Sequence, residues 1–194
     1  FVGKDIIHLA VFKKKDTRTV YNMMYRDGKG GASYMKRFSV TGVTRDKDYD
    51  LTPGKSNTMV HYFTANPNGE AEVVTVLLRA VGSIKKLKWD IDFADLAVKG
   101  RGVRGNTITK FAIRKVEFKS SGVSTLKPRK IWFDDTVQRL NVDARGELLG
   151  EFRAEDKILI ATQSGKIKAV TPDLQMHFED DMIVLEKWKP KKPV

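Results

Sequence analysis

The segment Gly100-Arg-Gly-Val-Arg-Gly-Asn-Thr-Ile-Thr-Lys-Phe-Ala-Ile113 decides the fold class, because a glycine-rich turn leads directly into an alternation of apolar and polar residues. Such an alternation of period two is typical of a strand with one buried face. The rest of the 194-residue chain has the same character, and no apolar stripe of helical period extends over three turns. Runs of strand character are residues 33–43, 57–64, 72–78, 106–118 and 157–162. The sequence therefore predicts an all-β protein, with at most single helical turns at residues 93–98 and 136–140.

Turns recur along the chain at a spacing expected of a propeller. Gly28, Gly69 and Gly102 stand roughly 35–40 residues apart, which is in the range of propeller blades. Three similar phrases follow glycine-containing turns: Lys-Arg-Phe-Ser-Val at 36–40, Thr-Lys-Phe-Ala-Ile at 109–113 and Lys-Ala-Val-Thr-Pro at 168–172. Each phrase places a basic residue near the start of a short strand, so radially arranged units would align these residues along one edge. Chance similarity in a lysine-rich chain is the alternative.

Positive charge is concentrated in one part of the chain. Residues 79–119 hold 11 lysines and arginines against four acids, a balance of +7 in a whole-chain net charge of +12. Residues 151–186 instead hold eight acids and four bases. One-sided positive charge on a strand-rich surface favours a polyanion as the partner, either nucleic acid or an acidic membrane surface. A solvated surface that only maintains solubility is the alternative interpretation.

Motifs of catalytic or nucleotide sites are weak in this sequence. Residues 100–105 match the dinucleotide-binding pattern G-x-G-x-x-G, but a strand follows them where that pattern requires a helix. We interpret them as a loop whose backbone can approach phosphate closely, with Arg101 and Arg104 supplying charge. The phrase Gly54-Lys55-Ser56 lacks the upstream glycine of a P-loop, whose place is taken by Tyr49. We therefore predict no nucleotide site and no catalytic residue.

Metal sites and membrane segments are also not expected. His8, His61 and His177 lie far apart in the sequence, and the chain has no cysteine. The acidic triplet at residues 179–181 is interpreted as a turn before a strand, although its oxygens would suit a hard cation. No apolar run approaches the roughly 18 residues that span a bilayer, and no signal peptide is evident. A cytoplasmic location without membrane contact is expected.

The aromatic residues favour duplex over single-stranded nucleic acid. Phe38, Phe111 and Phe118 alternate with polar neighbours, so at strand spacing their rings are predicted to face the core. Proteins that bind single strands instead expose aromatic rings between basic residues, where bases can stack on them. The sequence therefore favours a duplex that is held through its phosphates.

The expected domain boundaries follow the same patterns. Residues 1–18 are predicted to be a lead-in segment, residues 19–188 the β domain and residues 189–194 a tail. The chain begins at Phe1 and not at an initiator methionine, so the domain is expected to be an incomplete piece of a longer protein.

Four phrases resemble a known family: Val20-Tyr-Asn-Met-Met-Tyr-Arg-Asp-Gly28, Ser33-Tyr-Met-Lys-Arg-Phe-Ser-Val-Thr-Gly-Val-Thr-Arg45, Tyr62-Phe-Thr-Ala-Asn-Pro-Asn-Gly-Glu70 and Asp156-Lys-Ile-Leu-Ile-Ala-Thr-Gln-Ser-Gly-Lys-Ile-Lys168. They are similar to the C-terminal region of the A subunit of bacterial type IIA topoisomerases, and closer to the topoisomerase IV type than to well-known gyrases. The resemblance covers nearly the whole chain. It implies a β-pinwheel, a propeller-like disc of four-stranded blades that exchange strands, with about four blades here and duplex DNA bent around a basic edge.

The resemblance also implies which residues contact DNA. In or beside the matching phrases these are Lys36, Arg37, Lys99, Arg101, Arg104, Lys110, Lys166 and Lys168. Three further lysines, Lys85, Lys86 and Lys88, are added on charge alone. The family's catalytic tyrosine lies in a different, N-terminal domain, so no tyrosine of this chain inherits that role and no metal ligand is implied. The fragment itself needs no cofactor, because ATP and magnesium act through the B subunit.

The resulting hypothesis is a non-catalytic module that binds and bends duplex DNA in an ATP-dependent type II topoisomerase. Its partners would be DNA, a second A subunit and the B subunit, at the bacterial nucleoid. The glutamine-arginine-arginine-glycine-glycine-lysine-glycine box of gyrases is missing, with only fragments at residues 28–31 and 99–102. Its loss favours relaxation and decatenation over supercoiling. A propeller-like scaffold that binds an acidic protein is the alternative function.

Overall fold

The computed structural model describes residues 5–12, 16, 18–82, 84–153 and 155–190. The chain divides into two compact units, Phe1–Thr125 (unit 1) and Leu126–Val194 (unit 2). The described residues form 14 strands and one 3-10 turn at Phe93–Asp95, with no α-helix among them, so the all-β prediction is confirmed. In this part of the chain no helix is long and apolar enough to cross a membrane.

Unit 1 contains two sheets. Its strands are β1 Val20–Arg26, β2 Ser33–Ser39, β3 Met59–Asn66, β4 Glu70–Leu78, β5 Lys88–Asp92, β6 Val98–Gly100, β7 Asn106–Thr109 and β8 Ile113–Ser124. Sheet A has the order β3-β1-β2-β6, and β7 also pairs with β2. Sheet B has the order β5-β4-β8 and is antiparallel throughout.

The strands of the two sheets are interleaved along the chain. The chain builds most of sheet A with β1 to β3, passes to sheet B for β4 and β5, returns to sheet A for β6 and β7, and ends in sheet B with β8. In sheet A, β6 runs parallel to β2 and pairs Phe38 with Lys99. This topology agrees with the strand exchange expected of a pinwheel, and it brings residues 99–105 back beside β2.

The two sheets of unit 1 share a core because their strands alternate apolar residues on the facing sides. Met24 and Met35 of sheet A pack with Val74 and Val76 of sheet B, and Phe93 closes the cluster from the 3-10 turn. Burying an apolar side chain of this size contributes about 1.5–3 kcal/mol. A second buried cluster of Met23, Tyr25 and Phe38 lies on the other face of sheet A. Sheet A is thus buried on both faces.

Unit 2 contains two three-stranded sheets. Its strands are β9 Arg129–Asp134, β10 Arg139–Asn141, β11 Glu147–Phe152, β12 Ile158–Thr162, β13 Ile167–Val170 and β14 Met182–Lys187. The sheet orders are β10-β9-β11 and β13-β12-β14. Ile131, Phe152, Ile158 and Phe178 belong to one buried cluster that joins them. Gly146 has a φ of +80°, and a Cβ there would lie 2.0 Å from the Phe133 carbonyl oxygen, so the turn before β11 requires glycine.

The four small sheets are consistent with the predicted pinwheel of about four blades. The predicted strands at residues 33–43, 57–64, 72–78 and 157–162 all correspond to observed strands with slightly shifted ends. The predicted run 106–118 is two strands, because β7 ends at Thr109 and joins sheet A while β8 begins at Ile113 and joins sheet B. Residues 1–4, 13–15 and 17 of the predicted lead-in and 191–194 of the predicted tail lie outside the described residues.

Two predictions about local positions are wrong. The ring of Phe38 is buried as predicted, but Phe111 and Phe118 are 51% and 54% exposed. Phe111 lies in the connection between β7 and β8, where strand alternation no longer applies, and Phe118 lies on the edge strand of sheet B. The three similar phrases are not equivalent either, since Lys36 is within a strand and Lys110 is between strands.

Candidate nucleic-acid interface

The net positive charge of the chain belongs almost entirely to unit 1. Unit 1 has 23 lysines and arginines against 12 acids, a net charge of +11, whereas unit 2 has 13 against 12, a net charge of +1. A polyanion is attracted by the summed field of such a domain before any single contact forms. Unit 1 is therefore the candidate location of a nucleic-acid interface.

Residues 99–104, here called the basic loop, are held from beneath by the ammonium of Lys36. Its Nζ atom donates hydrogen bonds to the carbonyl oxygens of Leu51, Arg101 and Val103, the last two at 2.7 and 3.0 Å. An ammonium group has three N–H donors, so all three have partners. Lys36 thereby ties the basic loop to the neighbouring segment that contains Leu51.

Two further contacts fix the end of the basic loop. The hydroxyl of Tyr25 donates to the carbonyl oxygen of Arg104 at 2.8 Å. Burial, with a contribution from Asp27, raises the pKa of Tyr25 to about 12, so this hydroxyl keeps its proton at neutral pH. Gly105 has a φ of +95°, and a Cβ there would lie 2.3 Å from the Met35 carbonyl oxygen. Only glycine allows the loop to approach β2 this closely.

The side chains of the basic loop lie over aromatic rings. The guanidinium carbon of Arg101 is 3.7 Å from the ring centroid of Tyr49, and that of Arg104 is 5.6 Å from the centroid of Tyr34. Arg101 also donates to the carbonyl oxygen of Gly42 at 2.7 Å. Stacking orients each guanidinium while leaving most of its five N–H donors free for other acceptors. The carbonyl oxygens of residues 101, 103 and 104 bond inward, so they do not offset this charge at the surface.

The segment around Tyr49 adds no net charge to this surface. Residues 40–58 contain three bases and three acids. Arg45 and Asp46 form an exposed ion pair of 3.4 Å. Lys99 borders a cleft of about 280 Å³ together with Val103 and Gly105. Asp95 lines the same cleft and offsets part of this charge, so the local positive potential comes mainly from the two loop arginines and Lys99.

Lys36 and Arg37, which were predicted to contact DNA, are buried, at 2% and 1% exposure. The donors of Lys36 are taken up by the carbonyl oxygens described above. Arg37 donates from Nε to Asn22 Oδ1 at 3.1 Å and from Nη2 to the carbonyl oxygen of Gly69 at 3.1 Å. Both charges act inside the fold, because sheet A is covered on both faces.

The other nine predicted residues fall into four groups, and all are exposed except Arg101, which is half-buried. Lys99, Arg101 and Arg104 come together in the basic loop. Lys85, Lys86 and Lys110 lie in or beside the residues that form an apolar groove at the β4–β5 hairpin. Lys88 lies on β5, where Asp90 is the next outward-facing residue. Lys166 and Lys168 lie on the β12–β13 hairpin of unit 2. DNA contact by these nine residues stays a prediction.

The outer face of sheet B shows why counting charges overestimated the basic surface. Lys119 bonds to Asp90, and Lys115 bonds to Glu117 at 2.9 Å. These hydrogen bonds lower the pKa of both carboxyl groups, so the acids remain ionised and offset their partners. Much of the charge on this face is therefore compensated.

Sequence analysis missed the two tyrosines beneath the loop arginines. Tyr34 and Tyr49 are distant from residues 99–104 in sequence, and stacking across such a separation leaves no local pattern to detect. Among the described residues no group of three or more histidine, aspartate or glutamate side chains is placed to hold a metal ion.

The buried ammonium of Lys36 predicts a pH dependence of stability. Burial lowers its pKa from 10.5 to about 8. Between these values the unfolded chain binds more protons than the folded chain, so the free energy of unfolding rises with pH. We expect wild type to gain up to about 1.4 kcal/mol per pH unit relative to Lys36→Met in this window. Urea denaturation from pH 7 to 10.5 measures this difference.

The exposed Lys85→Met variant is the matched control for Lys36→Met. It is expected to follow the pH dependence of wild type, because Lys85 is solvated in both states. A difference between wild type and Lys36→Met that stays constant, or that falls with pH, would contradict a lowered pKa.

Comparison with known families identifies the family to which the chain is similar. The family model described as "Topoisomerase C-terminal domain, Bacteroidota" matches residues 1–121 and 139–194. The unmatched residues, 122–138, include the boundary between the two units. No curated protein sequence and no solved structure matches the chain. Because the family model covers most of the chain, and the quoted phrases resemble the same region, the chain belongs to the topoisomerase C-terminal domain family of Bacteroidota.

Proposed function

We propose that this chain is the DNA-binding and DNA-bending module of a topoisomerase A subunit, and that unit 1 holds the transported duplex on its basic surface. The observation that carries the proposal is the basic loop. Its carbonyl oxygens bond to Lys36 and Tyr25 inside the fold, while Lys99, Arg101 and Arg104 lie at the surface. Such a loop can bind the phosphate groups of DNA without contacting the bases.

DNA binding of this kind is expected to tolerate any base sequence in the duplex. Contacts to phosphates position a duplex but do not read its bases. Smooth bending of a short site costs on the order of 1–6 kcal/mol, so a module that bends DNA prefers curved or crossed duplexes. The module would thus present one duplex to a gate formed elsewhere in the enzyme.

The parent enzyme proposed here is an ATP-dependent type II topoisomerase in the cytoplasm, at the nucleoid. An A-subunit dimer would supply the DNA gate, and a B subunit would bind ATP and magnesium. Because the sequence lacks the gyrase box, we propose relaxation and decatenation rather than negative supercoiling. The chain itself contributes binding and orientation of DNA.

Salt titrations of binding to linear duplexes of about 20 to 150 base pairs test the proposal. We expect affinity to rise with duplex length until the basic surface is filled. The slope of log affinity against log salt should correspond to roughly 6–10 phosphates, at about −0.9 per phosphate. Fluorescence anisotropy with labelled duplexes measures both quantities.

A bend is tested separately from affinity. Duplexes labelled at both ends with a donor and an acceptor dye should show increased energy transfer when the chain binds. Weak binding that does not depend on length, together with unchanged transfer, would refute the DNA-bending role. The basic surface would then serve solubility or a protein partner.

A further inference from the structure

A shallow apolar groove of about 480 Å³ lies at the β4–β5 hairpin of unit 1, formed by residues outside the basic loop. Ile84, Trp89 and Ile108 line it together with Leu78, and Phe111 borders it with half of its side chain exposed. Among these apolar residues Phe111 is the exposed one, because Leu78 is buried and Ile84, Trp89 and Ile108 pack partly against the core of unit 1. Aromatic side chains exposed beside a groove are enriched at protein interfaces.

Backbone hydrogen bonds connect the segments around the groove. The Leu78 amide donates to the Leu87 carbonyl oxygen, and the Arg79 amide donates to the Ala112 carbonyl oxygen, both at 2.9 Å. The first bond closes the hairpin and the second ties it to the β7–β8 connection. The Phe111 amide donates to Thr109 Oγ1 at 3.0 Å, which fixes the turn that presents the ring. A preformed groove avoids much of the ordering cost of binding.

The charge around the groove is positive. The segments that form it, residues 78–82, 84–89 and 106–114, contain six lysines and arginines and no acid. Two of these, Lys88 and Arg114, interact with Asp90 or Glu117 of sheet B. Lys85 and Lys86 line the groove, and both are exposed. Neither forms an ion pair with any residue in the described parts of the chain. A partner with carboxylates would supply the missing counter-charges.

An acidic peptide fits this surface better than duplex DNA does. A duplex presents phosphates at its surface and stacks its bases inside, so it would leave Phe111 and Trp89 uncovered. A peptide offers carboxylates together with apolar side chains that fill a groove. Aromatic residues at such grooves commonly carry most of the binding energy of a protein interface.

We propose that the groove binds a linear acidic peptide segment of a partner protein. Aliphatic or aromatic side chains of the peptide pack against Phe111 and Trp89, and flanking carboxylates pair with Lys85 and Lys86. This site is separate from the basic loop, because the two surfaces use different residues. Lys85 and Lys86, which the sequence analysis assigned to DNA on charge alone, are assigned to the peptide by this proposal.

The probe is a library of random 12-residue peptides displayed on phage, selected against the full chain. Phe111→Ser is the counter-target, and its exposed side chain makes it a variant that should fold, which circular dichroism and thermal unfolding verify. We expect the selected peptides to combine aspartate or glutamate with leucine or phenylalanine. A synthetic peptide of the selected sequence should bind Phe111→Ser at least tenfold more weakly than wild type.

Two double variants test the contribution of charge to peptide binding, separately from the apolar contribution of Phe111. Lys85→Glu with Lys86→Glu should weaken the selected peptide at least tenfold, whereas Lys166→Glu with Lys168→Glu, the same charge change in unit 2, should leave it bound. Selection of the same peptides by Phe111→Ser, or of no acidic peptides, would overturn the proposal.

Displacement of the peptide by a short duplex that itself binds Phe111→Ser tenfold more weakly would assign the groove to DNA instead. Dimerisation of the chain that Phe111→Ser abolishes would assign it to a second copy.

Discussion

Replacing Arg37 with methionine is expected to lower the free energy of unfolding of unit 1 by about 3–5 kcal/mol, the range found when one partner of a buried charged network is removed. Arg37 bonds to Asn22, and Asn22 Nδ2 donates to Glu72 Oε2 at 2.7 Å. Glu72 is itself 6% exposed and also accepts a hydrogen bond from Thr64. Without Arg37 the Glu72 carboxylate loses a buried cation that interacts with it, and the carbonyl oxygen of Gly69 loses one of its donors. Urea denaturation measures the change.

The matched control is Arg114→Met, the same substitution at an exposed position of β8. It should change the free energy of unfolding by less than about 0.5 kcal/mol, as is usual for surface substitutions. The double variant Arg37→Met, Glu72→Gln should cost less than the two single costs added together, because it removes both charges of the network. A cost at Arg37 no larger than that at Arg114 would show that the network does not stabilise the fold.

The strands were predictable from the sequence where one face of a strand is apolar and a turn residue follows. Residues 72–78 are an example, because Val74, Val76 and Leu78 alternate into the core. The run 106–118 was not predictable as two strands. Its break depends on which neighbour each half pairs with, β2 or β4, and those partners come from distant parts of the chain. Periodicity describes the face of a strand but not the sheet to which it belongs.

The candidate site was predictable in part. The glycines of residues 100–105 indicated a loop with free backbone, and the arginines within it were visible directly. The burial of Lys36 and Arg37 was not predictable, because lysine and arginine are almost never fully buried unless their charges find partners. Here the partners lie far along the chain: the Arg101 carbonyl oxygen is 65 residues from Lys36, and Thr125 is 88 residues from Arg37. Only the folded topology brings them together.

Replacing both Arg101 and Arg104 with glutamate is expected to weaken duplex DNA binding by about 100-fold at physiological salt, or roughly tenfold for each charged hydrogen bond that is lost. Both side chains lie at the surface over tyrosine rings, so the substitutions leave the buried contacts of Lys36 and Tyr25 in place. The slope of log affinity against log salt should become smaller in magnitude by about 2, since two phosphates are no longer neutralised. Anisotropy titrations with one labelled duplex at several salt concentrations measure both changes.

The matched control is the double variant Arg139→Glu, Arg145→Glu, which makes the same change in net charge on exposed residues of unit 2. Long-range attraction of DNA depends on the summed charge of the chain, whereas a phosphate contact depends on where a charge lies. At physiological salt, charges farther apart than the Debye length of about 8 Å are largely screened from each other. The control should therefore lower affinity only slightly and leave the slope nearly unchanged. If both double variants lose affinity equally, the chain attracts DNA through its net charge, and the basic loop is not the interface. If the loop variant alone loses affinity and slope, phosphates are bound at the basic loop itself.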